Sequence, residues 1–261
     1  MTFDYAAAPK ERQKACNLCG WAIFEDHADR DRYGLPVQSV RCRGCGLVFI
    51  DPRMTPAGYE QFYSTGTYRK LLSEFYGKPV TASSIQPEQE NYAEALALHL
   101  EPNLTHRQPK GLLDVGGSTG VVAEVLNRRF GIRGTVLEPS KAEREQAAKR
   151  GLETIPGTIE GFTPNGHRWD LVLLCQTVDH LMDITGTLAK LRRIVSGRGL
   201  FFMDIVNFDR TRTVKVDHPF NLSTEHAVSY LDRAGFKVLK RIDPLWKPEK
   251  VGFICAPKGG G

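Results

Sequence analysis

The chain lacks any run approaching the roughly 18 consecutive apolar residues of a membrane span, which excludes a spanning helix from its expected fold. Met1 to Arg12 mixes charge with a short Ala-Ala-Ala run and has no apolar core of the roughly 7 to 15 residues that a secretory signal needs. A cytoplasmic location is therefore expected. Basic residues are in slight excess but not concentrated. The formal net charge is +5, yet only pairs such as Arg128-Arg129 and Arg192-Arg193 stand together. A nucleic-acid binder more often gathers its excess into a stripe, so the charge permits a phosphate-bearing partner without requiring one. Internal repeats are missing, and the only low-complexity tract is the terminal Gly-Gly-Gly. Cysteine is scarce at six in 261 residues; four fall in two close pairs, while Cys175 and Cys255 lie in apolar runs and are expected to be buried thiols.

What is present is enough for one sizeable α/β domain and a small accessory module, with an ordinary 41% hydrophobic content. The cysteine pairs, Cys16-Asn17-Leu18-Cys19-Gly20 and Cys42-Arg43-Gly44-Cys45-Gly46, are two copies of C-x2-C-G separated by 22 residues that read as a β-hairpin excursion. Each glycine permits a tight knuckle that aims two thiolates at one ion, and Cys16, Cys19, Cys42 and Cys45 would close a tetrahedral zinc shell. Four thiolates leave no open position, so the zinc is expected to be structural. Disulfides or free thiols are the alternatives, the former disfavoured by a reducing compartment. Residues 1–57 are read as this zinc ribbon, ending at the Pro-rich punctuation after Leu47-Val48-Phe49-Ile50. Residues 58–109 read as a helical bridging or lid segment rich in aromatics; most of these would fill a joint between modules, with Tyr63 and Tyr68 kept as cofactor or substrate contacts.

From residue 110 to 257 strands and helices alternate: strand 111–115, helix 119–130, strand 133–138, helix 140–150, a short strand near 153–155, strand 170–175, helix 180–195, strand 198–206, helix 223–234, and strands near 236–242 and 250–256. That alternation predicts an α/β fold with a doubly wound, mostly parallel, seven-stranded Rossmann-like sheet, whose ligands bind beyond the carboxyl ends of the central strands. The first strand ends at Asp114 and breaks into Gly116-Gly117-Ser118-Thr119-Gly120, a turn that lets a ligand approach the backbone and meet a helix N-terminus. The second strand ends at Glu138, 18 residues beyond Gly120, where a carboxylate can accept both ribose hydroxyls. Together they point to a nucleoside-containing cofactor.

The whole resembles the class I S-adenosylmethionine-dependent methyltransferases, whose D-x-G-x-G-x-G loop matches at Asp114, Gly116 and Gly120, with Ser118 in place of the middle glycine. The resemblance implies that S-adenosylmethionine is held by Asp114, Gly116, Gly117, Ser118, Gly120 and Glu138. It further implies that Ile159 lies on the adenine and that Gln176 meets the methionine end; Thr158 stands where the family has an acid, and Glu160 is a substitute or a surface residue. The segment Trp169 to His180 looks like the family's strand ending in an acid–histidine pair, here Asp179-His180. His180 is read either as a cap-region structural histidine or as a substrate contact. The opening C-x-L-C-G and R-C-x-G-C-G-L-V-F-x-D-P-R, with Asp217-His218 and Ala234-Gly235-Phe236, resemble the zinc-ribbon methyltransferases acting on nucleotide sugars, glycans and secondary metabolites. In sugar members an acid–histidine pair works near the substrate, which maps onto Asp217 and His218 as a base pair; a helix-entry histidine held by local hydrogen bonds is the alternative, and His226 a weaker base.

The resulting expectation is methyl transfer to an oxygen or carbon of a small, sugar-like molecule. An RNA substrate gripped by the ribbon, and a non-catalytic scaffold, are the other two readings. Oligomeric state is not readable from the sequence.

Overall fold

The structure is a computed structural model and describes residues 3–259, so Gly260 and Gly261 of the glycine tract lie outside the described residues. In chain order the first elements are β1 (Lys10–Glu11), β2 (Phe24–Ala28), β3 (Ser39–Cys42), β4 (Val48–Ile50) and β5 (Arg53–Met54), followed by α1 (Pro56–Ser64), α2 (Thr67–Tyr76) and α3 (Ala82–Arg107). Then come β6 (Gly111–Val115), α4 (Val121–Phe130), β7 (Arg133–Glu138), α5 (Lys141–Lys149), β8 (Glu153–Pro156), β9 (Trp169–Leu174), a 3-10 turn at Val178–His180, α6 (Ile184–Ile194) and β10 (Val195–Val206). The chain closes with α7 (Phe208–Thr211), β11 (Phe220–Asn221), α8 (Thr224–Arg233), β12 (Phe236–Ile242) and β13 (Lys250–Pro257).

The large sheet has seven strands in the order β12-β13-β10-β9-β6-β7-β8, as the alternation predicts. Strands β6 to β10 run parallel, and β13 runs antiparallel to both β10 and β12. Its central strands read as unbroken apolar runs because both faces are covered. Alternate residues feed two separate cores: Leu112, Leu171, Leu173 and Phe202 join α3 and α4 on one face, while Leu113, Val172, Leu174 and Phe201 join α6 and α8 on the other. The strand period of two thus places one sheet between two helical layers.

One predicted helix is shorter than its pattern. Residues 180–195 were expected to be a single helix, but the chain makes the 3-10 turn and then starts α6 only at Ile184. Asp183 takes an extended conformation and its carboxylate accepts the Gly186 amide at 2.9 Å, a cap that resets the helix start. The reset turns His180 away from α6 and toward α1.

The cysteine-bearing segment is joined to the large sheet by more than a linker. Its sheet has the order β11-β4-β3-β2, so the fourth strand, Phe220–Asn221, is supplied from the far end of the chain. Asn17, inside the first knuckle, donates to Asp183 at 2.8 Å and accepts from the Thr185 amide and the Tyr230 hydroxyl, both at 3.1 Å. The loop after β2 is pinned as well, since Asp31 accepts the Val216 amide at 2.9 Å and the Arg32 amide donates to Val214 at 2.9 Å.

Candidate functional site

The loop between β6 and α4 holds the first group of expected site residues. Asp114 is fully buried, and neither carboxylate oxygen has a hydrogen-bond partner among the described residues. A Cβ on Gly117 would lie 2.7 Å from Asp114 Oδ2, so glycine keeps the backbone against that carboxylate. Ser118, at the position of the expected middle glycine, adopts a φ of 52°, the left-handed conformation a glycine would supply, and its hydroxyl is also buried without a partner. Gly120 caps α4 at a φ of 79°, where a Cβ would sit 2.5 Å from Leu152. Glu138 faces this loop: its two oxygens accept the Ser118 amide at 3.1 Å and the Ser140 amide at 2.9 Å, each keeping a second lone pair. Unpartnered buried acceptors beside a backbone cleared of side chains fit a ligand with donors and a cation, and so fit the expected cofactor.

Burial pushes the carboxyl of Asp114 up to about 7, with Glu138 as the second cause, and burial pushes Glu138 up to about 7. A group raised in the folded chain contributes stability at low pH that is lost as pH rises through its folded value. Asp114→Asn should therefore gain on the parent as pH rises from 5 to 8, by roughly 2–4 kcal/mol. Urea unfolding at both pH values measures it; a difference independent of pH would contradict the assignment. His180 and His218 titrate with the opposite sign, but they are common to both proteins and cancel in the comparison.

Ile159, just past β8, is buried in the larger core, and its carbonyl accepts Lys190 Nζ at 2.8 Å; Glu160 is exposed. Gln176 leaves β9 at a φ of 50°, and its amide donates to Asp204 at 2.6 Å.

A cavity of about 220 Å³ opens beside Gln176, at the carboxyl ends of β9 and β10. Its wall contains Gln176, His180, Asp217, His218 and Tyr68 of the expected residues. His180 Nδ1 lies 2.8 Å from the Asp217 carbonyl. A carbonyl can only accept, so Nδ1 carries the hydrogen and Nε2 is left with a free lone pair. The Tyr63 hydroxyl donates to the same carbonyl at 3.2 Å and stands 3.0 Å from Nδ1, so Tyr63 braces His180 and is not itself in the cavity wall. His218 Nε2 is 3.4 Å from Asp217 Oδ2, and the two imidazoles meet edge to face at 4.9 Å. Burial holds His218 well below its ordinary value, with Lys215 the next cause. The other candidate, His226, is spent elsewhere: its ring closes the cap of α8 through Ser223 and reaches the Cys45 carbonyl at 2.9 Å.

Several residues of this wall were not legible as site residues. Arg32 and Tyr33 come from the hairpin excursion between the cysteine pairs, which reads as spacer; the Tyr33 hydroxyl donates to Asp217 Oδ1 at 3.3 Å. Lys215, Lys250, Asp179 and Glu88 add charge to the wall, and burial pushes Asp179 up to about 7. The only signal for Lys215 was its closeness to Asp217-His218; Lys250 opens a strand whose pattern speaks only of burial.

The four paired cysteines converge. Cys16 and Cys45 sulfurs are 3.6 Å apart and Cys19 and Cys42 sulfurs 3.5 Å, with all four within 4.8 Å of one another. Tetrahedral Zn–S bonds of about 2.3 Å put ligand sulfurs about 3.8 Å apart, so the set fits one ion and not disulfides. His180, Asp217 and His218 also lie within 4.8 Å. There, Arg32, Lys215 and Lys250 share the cavity and oppose a dication, so proton handling is the better use of the trio.

Comparison with known proteins places the fold. A methyltransferase-domain family model matches residues 88–240. The ubiquinone biosynthesis O-methyltransferase of Methylobacterium sp. (strain 4-46) is 30% identical over 140 residues, covering 51% of this chain and 54% of that protein. The chain therefore spans about half the length of this curated relative. Among solved structures, an S-adenosylmethionine-dependent methyltransferase of Leishmania major superposes with a TM-score of 0.58 at 16% identity, covering 76% of this chain and 82% of that one. The DhpI–SAH complex does so at 0.57 and 19%, covering 78% of this chain and all (100%) of that one. No described helix is long and apolar enough to cross a membrane.

Proposed function

The chain belongs to the methyltransferase-domain family, and on that premise we propose that it uses S-adenosylmethionine to methylate an oxygen or carbon of a small, sugar-like molecule seated in the cavity of His180, Asp217 and His218. The observation that carries this reading is the adjacency of two differently built places at the strand ends. One is the glycine-rich loop with the unpartnered Asp114; the other is the imidazole-lined cavity, whose wall includes Gln176, and the next residue, Thr177, lies against Gly116 of the loop, 2.8 Å from where a Cβ would sit. A cavity of about 220 Å³ suits a small acceptor better than a nucleic acid.

In this reading Asp114, Gly116, Gly117, Ser118, Gly120 and Glu138 hold the cofactor, Glu138 through its spare lone pairs and the loop through its close backbone. When bound, the cofactor supplies an electrophilic methyl group. His180 offers the Nε2 lone pair to the acceptor's hydrogen and so aims the nucleophile. His218 takes the proton, and the Asp217 carboxylate stabilises the imidazolium that results. Tyr63 and the Asp217 carbonyl keep His180 in one tautomer. Most of the rate gain then comes from positioning. The four cysteines hold a structural zinc that fixes the hairpin carrying Arg32 and Tyr33.

Isothermal titration with S-adenosylhomocysteine tests the cofactor half directly. Binding with one-to-one stoichiometry is expected, weakened at least tenfold in Glu138→Ala, which loses two hydrogen-bond acceptors worth about 1.5–3 kcal/mol each when charged. A parent protein that does not bind it would end the reading.

A further inference from the structure

Three cations reach the acceptor cavity from separate parts of the chain. Arg32 comes from the hairpin excursion, Lys215 from the loop before β11 and Lys250 from the start of β13, paired across the sheet with Val206. None of the three side chains makes a hydrogen bond or an ion pair with another described residue. Their placement is nonetheless built. The Arg32 amide donates to the Val214 carbonyl and the Val216 amide donates to the Asp31 carboxylate, each at 2.9 Å, so the segments that carry Arg32 and Lys215 are tied on either side of Lys215. The Arg32 guanidinium lies 4.7 Å over the Phe75 ring, which holds its plane.

The carboxylates in the same wall do not balance this charge. Glu88 is taken by Lys247 at 2.6 Å. Burial leaves Asp179 only partly ionised at neutral pH, with its carboxyl pushed up to about 7. Asp217 is left opposite three cations. Burial lowers the Lys215 ammonium below its ordinary value; Asp217 opposes that shift, and the repulsion of Lys250 across the cavity adds to it. Three like charges set against one aspartate in a half-closed cavity are costly, and an anion between them removes the cost.

We infer that the cavity is an anion-recognition site in which Arg32, Lys215 and Lys250 bind a phosphate or carboxylate carried by the acceptor. The site then reads two features of one molecule: a nucleophilic hydroxyl or carbon at the imidazoles, and an anionic group beside it. Arg32 makes the cysteine-bearing hairpin part of acceptor selection. Its planar fork suits the bidentate geometry of either group, while the lysines supply point charges.

The inference deepens the methyltransferase reading, and its test is arranged so that the two fail separately. The full-length chain, free and saturated with S-adenosylhomocysteine, is titrated by calorimetry with inorganic phosphate and with malonate, the phosphate and carboxylate arms. Saturable binding of at least one is expected, weakened at least tenfold in both Lys215→Met and Arg32→Met. Unchanged S-adenosylhomocysteine affinity shows that each variant is folded; Lys250→Met serves if one of them is not. The stronger arm names the group. No saturable binding of either anion to the parent, or binding unchanged in the variants, would overturn the site. Absent S-adenosylhomocysteine binding with anion binding intact would instead remove the cofactor reading alone.

Discussion

His218→Ala is expected to lower kcat on the true acceptor by about 10²- to 10⁴-fold, the usual worth of a positioned base, while leaving S-adenosylhomocysteine affinity within about twofold. The reason is geometric. His218 is the imidazole that faces the Asp217 carboxylate, at 3.4 Å, and that carboxylate is itself held by Tyr33. His180→Ala should cost a similar factor because the two rings meet at 4.9 Å around one aspartate. The double variant should be hardly worse than either single one, since groups that act as a unit do not add. The pH profile gives a second reading. Burial and Lys215 hold His218 well below its ordinary value, so the neutral base persists at neutral pH. The acid limb of kcat/KM should then fall below the ordinary imidazole range rather than within it. Asp217→Asn should lower kcat as well, by removing the charge that favours the imidazolium. Full turnover in His218→Ala would mean that the ring only fills the wall. The acceptor would then need no base, or another one.

On the proposed zinc site, Cys42→Ser is expected to abolish metal binding and to unfold the N-terminal module, with loss of most soluble protein. A structural zinc contributes roughly 10–16 kcal/mol of apparent folding free energy, comparable with the 5–15 kcal/mol that holds a whole domain together. Damage should spread, because β4 pairs with β11, and the hairpin between the cysteine pairs carries Arg32 and Tyr33 into the cavity. Atomic absorption should find one zinc per chain in the parent and none in the variant. A second equivalent would point to the His180, Asp217 and His218 cluster as an ion site. Thermal denaturation of the variant within a degree or two of the parent would sink the structural role.

Much of the fold was legible because its causes are local. Apolar runs of period two or unbroken burial, followed by helical spacing, placed the strands of the seven-stranded sheet to within a few residues. Helix α6 was the main error, because the cap at Asp183 is a side-chain event that periodicity does not register. Ser118 shows the complementary case. Its sequence identity breaks the glycine pattern, but its φ of 52° keeps the backbone conformation the pattern stands for.

The chain's sequence by itself determined the alternation of strands and helices, the glycine loop ending Asp114 to Gly120, the carboxylate at Glu138 and the two cysteine knuckles. Each is written in neighbouring residues, where spacing dictates geometry. The tertiary structure alone decided that residues 32, 180, 215, 217, 218 and 250 meet in one cavity, that a backbone carbonyl sets the tautomer of His180, and that the cysteine-bearing sheet borrows a strand from residues 220–221. Those meetings depend on how loops far apart in the chain pack on a common sheet edge, and such packing leaves no periodic trace in the order of the residues.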